Sequence, residues 1–141
     1  RHGYAAGPFR EMLEDLEFNP LHGYMKGFID LVFETDHRFY LVDYKSNWLG
    51  PESAAYRREH LDAAMARESY VLQYLIYTVA LHRYLRLRVP DYAYERHFGG
   101  IYYLFLRGMD PARGPDCGVF HDRPAPELVM ALDTLMTTGA A

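Results

Sequence analysis

Apolar positions along the chain follow two rhythms, and the switch between them predicts the elements. Residues 27–33 (GFIDLVF) and 39–45 (FYLVDYK) are dense in β-branched and aromatic side chains, with the charged stretch Glu34-Thr35-Asp36-His37-Arg38 between them. Two such runs around a short polar loop predict a β-hairpin. After the turn at Trp48-Leu49-Gly50-Pro51, residues 53–67 have helical composition. Leu72, Leu75, Ile76 and Val79 then recur at three and four, predicting a stronger helix over about 69–86 that Pro90 closes. Residues 101–106 (IYYLFL) are almost continuously apolar behind Gly99-Gly100 and read as a buried strand. A Pro-rich loop, Arg123-Pro124-Ala125-Pro126, leads into a short helix over about 127–136. Upstream of the hairpin, the pattern gives a short amphipathic helix over 9–16 and a break at Asn19-Pro20. Strand, strand, helix, strand predicts an α/β fold: a mixed sheet with helices packed on it.

The hairpin is also where the chemistry lies. A two-residue loop at Asp36-His37 sets Asp30 directly across from Asp43, on one face and with Cβ atoms about 4.5–5.5 Å apart. Lys45 follows two residues on, so it shares that face. Phe28, Val32, Phe39 and Leu41 lie there too, and Ile29, Leu31, Phe33, Tyr40, Val42 and Tyr44 form the other. Both faces are largely apolar, which predicts cover by helices on both sides. Two buried carboxylates repel each other and resist ionisation. A divalent cation resolves that conflict, because Mg²⁺ takes oxygen ligands and is held by one or two carboxylates plus substrate phosphate. The competing reading is an Asp43–Lys45 ion pair on the hairpin rim with Asp30 solvated.

Composition narrows the class without choosing it. With 141 residues, half of them hydrophobic, the chain can build one globular core. Charges interrupt every apolar run, so no membrane span is expected. The single cysteine, Cys117, excludes an internal disulfide and fits a reducing compartment. Its Gly/Pro-rich setting makes it a bystander thiol. A net charge of −4 speaks against a general nucleic-acid coat but not against a DNA enzyme, since metal-holding carboxylates count in the total. No phosphate-cradling GxxxxGK loop occurs, so ATP-driven work lies outside this segment. The opening Arg1-His2-Gly3-Tyr4 has neither methionine nor signal-peptide character and reads as part of something longer.

Four blocks, 26–32 (KGFIDLV), 41–50 (LVDYKSNWLG), 73–85 (QYLIYTVALHRYL) and 98–108 (FGGIYYLFLRG), together resemble the nuclease domain of the RecB family, the beta subunits of exodeoxyribonuclease V. That resemblance implies the restriction-endonuclease-like PD-(D/E)xK core, here one partial domain over 1–141 that is truncated at its N-terminus, with a catalytic hairpin about 27–45. It implies Asp30 and Asp43 as metal ligands, the backbone carbonyl of Tyr44 as a further one, and Lys45 as the catalytic lysine. Gln73 and Tyr77 match the family's Gln-x-x-x-Tyr motif, in DNA contact or in support of the active site; spacing alone makes Tyr77 a core aromatic. The implied cofactor is Mg²⁺, with Mn²⁺ as a substitute, and the implied substrate is linear DNA in bacterial cytoplasm. RecC and RecD are the implied partner subunits, with possible contact to RecA and no membrane.

One departure stands out. The family has another metal ligand, a histidine on a helix well upstream, and only His2 and His22 precede the hairpin here, neither in a helical setting. Weak Mg²⁺ binding and little cleavage by this chain alone are therefore expected. Further readings stay open: a docking module for a partner, or a restriction-type endonuclease of the same fold. The stretch His82-Arg83-Tyr84-Leu85-Arg86-Leu87-Arg88 is either a phosphate contact or a solvated helix end. Asn47, Trp48 and Arg107 lie near enough to the site for DNA contact, although packing is the commoner role for Trp48. Tyr102, Tyr103 and Phe105 read as core or sheet-face aromatics.

Overall fold

The computed structural model describes residues 27–138. The amphipathic segment 9–16, the Asn19-Pro20 break, His2 and His22 lie outside the described residues. Strand β1 (Leu31–Thr35) returns as β2 (Arg38–Lys45). Both turn residues, Asp36 and His37, have positive φ (50° and 60°), the backbone of a type I′ two-residue loop. The pairing is therefore the one the sequence pattern predicts, with Leu31 opposite Val42 and Phe33 opposite Tyr40.

From β2 the chain passes through a 3-10 turn (Ser53–Tyr56), α1 (Arg58–Arg67), α2 (Tyr70–Arg88) and the single turn α3 (Tyr94–His97). Ser69, in left-handed backbone at φ 58°, breaks α1 from α2. Val89, held extended before Pro90, ends α2. β3 (Phe98–Phe105) then runs parallel to β2, with Asp43 beside Tyr103 and Lys45 beside Phe105. A loop holding a 3-10 turn (Pro111–Arg113) leads to β4 (Val119–Asp122), antiparallel to β3, and α4 (Pro126–Thr138) completes the described chain. The sheet order is β1-β2-β3-β4, a mixed four-stranded sheet.

The core lies between one face of this sheet and the helices. Leu41, Ile101, Tyr103, Phe105 and Phe120 from the strands pack with Leu61, Met65, Tyr74, Leu75 and Val79 from α1 and α2. Tyr74 reaches from α2 to donate to Asp122 on β4 at 2.7 Å, which fixes helix against sheet. Among the described residues, helices cover one face of the hairpin and not both. Every residue of β1 is exposed, and the second face carries a row of rings, Phe33, Tyr40, Tyr102 and His121, one from each strand. The long β2-to-β3 crossover puts α1 and α2 against the buried face. Among the described residues, β1 is an edge strand with little over it.

Candidate active site

Alternation along β2 turns Leu41, Asp43 and Lys45 toward α2, and this places two charges under the helix. Asp43 is only 3% exposed. Its Oδ1 lies 2.6 Å from Lys45 Nζ. Burial is the largest influence on Asp43 and raises its carboxyl above the ordinary aspartate value; the Lys45 ammonium works the other way, and the Asp30 charge adds to the rise. A carboxylate in this position is costly to keep charged, so the lysine is its built-in counter-ion. The pair sits under α2 and not on an exposed rim.

Asp30 joins the pair by a route the hairpin pattern does not give. The ladder begins at Leu31, and Asp30 occupies a bend just before it. Its Oδ2 accepts the backbone N–H of Tyr44 at 2.9 Å, which draws the carboxylate onto β2 between Asp43 and Lys45 in sequence. Tyr44 points its ring outward, 45% exposed.

The helix face above supplies a second layer. Lys45 Nζ donates to Gln73 Oε1 at 3.0 Å, and Gln73 Nε2 donates to Tyr77 Oη at 3.2 Å. Tyr103 Oη donates to the same Gln73 Oε1 at 2.9 Å. With an ammonium and a hydroxyl on its oxygen and a hydroxyl acceptor on its nitrogen, the amide has one favoured orientation. Burial, reinforced by the Asp43 charge, holds the Tyr103 phenol far above its usual range, so it stays a donor. The Lys45 ammonium also sits 3.9 Å from the Tyr70 ring centre and 4.9 Å from that of Tyr103, inside cation–π reach. Tyr70 in turn donates to Asn47 at 3.1 Å. Tyr77 is nearly buried, and a Cβ on Gly27 would lie 2.8 Å from its ring, so a bare backbone passes over it. Sequence reasoning set Tyr103 among the core aromatics. Its place beside Asp43 depends on the parallel β2–β3 register, which no local pattern encodes.

The profile of the PD-(D/E)XK nuclease superfamily matches residues 2–133. The chain belongs to the PD-(D/E)XK nuclease superfamily. It is 53% identical over 120 residues to the RecBCD enzyme subunit RecB of Escherichia coli (strain K12), covering 85% of this chain and 10% of that protein. RecB of Haemophilus influenzae matches with the same identity and coverage. RecB of Mycobacterium tuberculosis (strain H37Rv) is 47% identical over 126 residues, 85% of this chain and 12% of that protein. The chain thus spans about a tenth of the length of the curated relatives it matches.

Nucleases of this superfamily generally depend on a divalent metal, and the donors present fit one. Asp30, in the bend before β1, and Asp43, on β2, are hard oxygen donors near enough for the charge of one to raise the carboxyl of the other. Among the described residues no group of three or more His, Cys, Asp or Glu gathers to hold a metal. A carboxylate pair of this kind suits an ion that keeps water and substrate phosphate in its shell.

The other sequence candidates separate clearly. Trp48 is 66% exposed, so packing does not account for it. Arg107 donates through Nε to the Ser46 carbonyl at 2.8 Å, beside the exit of β2. The basic stretch on α2 is largely occupied with structure: Arg83 and Arg86 both pair with Asp133 of α4, Arg88 lies over the Tyr84 ring, and His82 is buried with Nδ1 3.1 Å from Tyr92 Oη. Cys117 is half-buried, with Sγ 3.8 Å from the Ser53 carbonyl. No described helix is long and apolar enough to cross a membrane.

Tyr103→Phe isolates the hydroxyl that helps orient Gln73. Cleavage by the full-length protein is expected to fall about tenfold in kcat with KM unchanged, since one charge-supporting hydrogen bond is lost. The same substitution in a Gln73→Leu background is expected to have almost no further effect. Equal losses in both backgrounds would reduce Tyr103 to a packing residue.

Proposed function

We propose that this chain is a single metal-dependent nuclease domain of a RecB-type subunit, hydrolysing phosphodiester bonds of linear DNA during double-strand-break repair and recombination. The observation that carries the reading is the buried Asp43–Lys45 pair, with Asp30 drawn to its edge and Gln73 locked above it. Asp30, Asp43 and the Tyr44 carbonyl would hold Mg²⁺, for which Mn²⁺ could substitute. Such an ion supplies, when bound, charge neutralisation at the phosphate and activation of water.

The residues of the chain do the rest. Asp43 and Gln73 Oε1 fix the Lys45 ammonium in one place, so its positive charge is preorganised for the negative charge that develops on phosphorus. The Tyr70 and Tyr103 rings flank that ammonium and limit its access to bulk water, which strengthens its field. The Lys45 ammonium, which can only donate, keeps the Gln73 oxygen turned toward it, and the Tyr103 and Tyr77 hydroxyls complement that orientation. The likeness to RecB subunits supports RecC and RecD as assembly partners and a bacterial cytoplasmic setting; a RecA contact belongs to the same proposal. Among the described residues β1 is an exposed edge, which favours a second role in docking a protein partner, compatible with the first.

Asp30 provides the test. In the full-length subunit within its complex, Asp30→Asn is expected to lower cleavage of linear DNA about a hundredfold and to raise the metal concentration needed for half activity, with DNA unwinding unchanged. Unaltered cleavage at limiting metal would refute the proposed metal role.

A further inference from the structure

A groove of about 570 Å³ opens where β2 and β3 both leave the sheet, directly past Lys45. One wall carries Trp48, and the other carries Arg107, Met109 and Arg113, with Tyr56 and Glu52 also lining it. Leu106 N–H donates to the Lys45 carbonyl at 3.0 Å and Arg107 Nε to the Ser46 carbonyl at 2.8 Å, so the second wall is pinned to the catalytic strand. Tyr56 is set in place by the Leu49 N–H on its hydroxyl (3.1 Å) and by Gly108, where a Cβ would fall 2.3 Å from the ring.

We propose that this groove binds single-stranded DNA next to the scissile phosphate, with Trp48 stacking on a base and Arg107 meeting a phosphate. The proposal rests on the nuclease reading above and adds a substrate subsite to it. A large indole left two-thirds exposed three residues beyond Lys45 is costly in water and offers a π-face that any base can use. Charge decides between a single strand and a duplex. Arg113 is already paired with Asp110 at 2.9 Å and Glu52 lies on the lip, so among the described residues Arg107 is the groove cation that forms no ion pair. A duplex grip relies on neutralising many phosphates. One arginine beside one exposed ring instead suits a strand whose unpaired bases can reach the ring.

The test uses the full-length subunit in its complex, without ATP, cleaving a short single-stranded oligonucleotide. Trp48→Ala is expected to raise KM about tenfold with kcat within about twofold, and Trp48→Phe to recover most of the loss. Arg107→Ala is expected to raise KM and to lower the salt slope of binding by about one. Oligonucleotides carrying 5-iododeoxyuridine, irradiated with Ca²⁺ in place of Mg²⁺, are expected to form their adduct at Trp48. An unchanged KM in Trp48→Ala, adducts elsewhere, or loss of subunit assembly in that variant would each overturn the subsite, the last by assigning the groove to a protein. Asp43→Asn run in parallel separates the two readings. If it leaves cleavage intact the nuclease assignment fails, and if it abolishes cleavage while Trp48→Ala is silent only the groove fails.

Discussion

Asparagine at position 43 is expected to cost at least about a thousandfold in DNA cleavage while leaving the metal-free domain as stable as before, or more so. The two halves of this expectation have one cause. Asp43 is nearly inaccessible to water, and burial is the largest influence on its carboxyl, raising it. For an acid whose folded value lies above its unfolded value, the unfolded chain gives up its proton first as pH rises. Stability therefore declines from the ordinary value of 3.8 up to the raised folded one, and does not return above it. At neutral pH the charge is a net burden on the fold; Asn removes it with little change of shape, and the Lys45 ammonium left behind keeps the Gln73 Oε1 and the Tyr70 ring as partners. The same change removes a proposed metal ligand and half the clamp on Lys45, so several kcal/mol of transition-state stabilisation go with it. Cleavage and unwinding assays on the full-length complex, beside hydrogen exchange of the β2 peptide in chelator, read both halves. A less protected β2 in Asp43→Asn would mean that the carboxylate is structural.

How far the sequence foretold this site depends on which strand pair is considered. The β1–β2 pairing was legible because a two-residue loop at Asp36-His37 fixes register locally, and alternation then assigns Asp43 and Lys45 to one face. The spacing of Gln73 and Tyr77 likewise put both on one side of α2. Asp30 was legible as a candidate but not in its geometry, because its bond to the Tyr44 N–H replaces a ladder position. Tyr103 and Tyr70 were not legible as parts of the lysine environment. Their positions follow from how a crossover of two helices sets β3 beside β2, a long-range result with no local signature. The short elements β4 and α3 escaped for a related reason. Four residues carry too little periodicity to read, and β4 lies just beyond the Gly/Pro-rich run before Gly118. Trp48 shows the reverse: residue type favoured burial, and its position outside the core overrode that preference.

The lysine makes the sharpest contrast with Asp43. Lys45→Ala is expected to lower cleavage by about a thousandfold and, unlike Asp43→Asn, to destabilise the domain by about 3 kcal/mol. The loss follows from what stays behind. Asp43 keeps its buried carboxylate, the 2.6 Å partner is gone, and Gln73 Oε1 retains only the Tyr103 donor. Hydrogen exchange in β2 should accelerate about a hundredfold in chelator, provided exchange follows local opening. Adding a divalent ion should recover part of that protection, because the cation takes over as counter-charge, yet cleavage should remain lost. Combining Lys45→Met with Asp43→Asn discriminates further. With no charge left in the pocket, protection is expected to return close to that of the parent, while activity stays absent. If Lys45→Ala is as protected as the parent, the ion pair contributes nothing to the fold. If the double variant remains as labile as Lys45→Ala, the cost lies in lost packing of the lysine stem against Tyr70, not in a stranded charge.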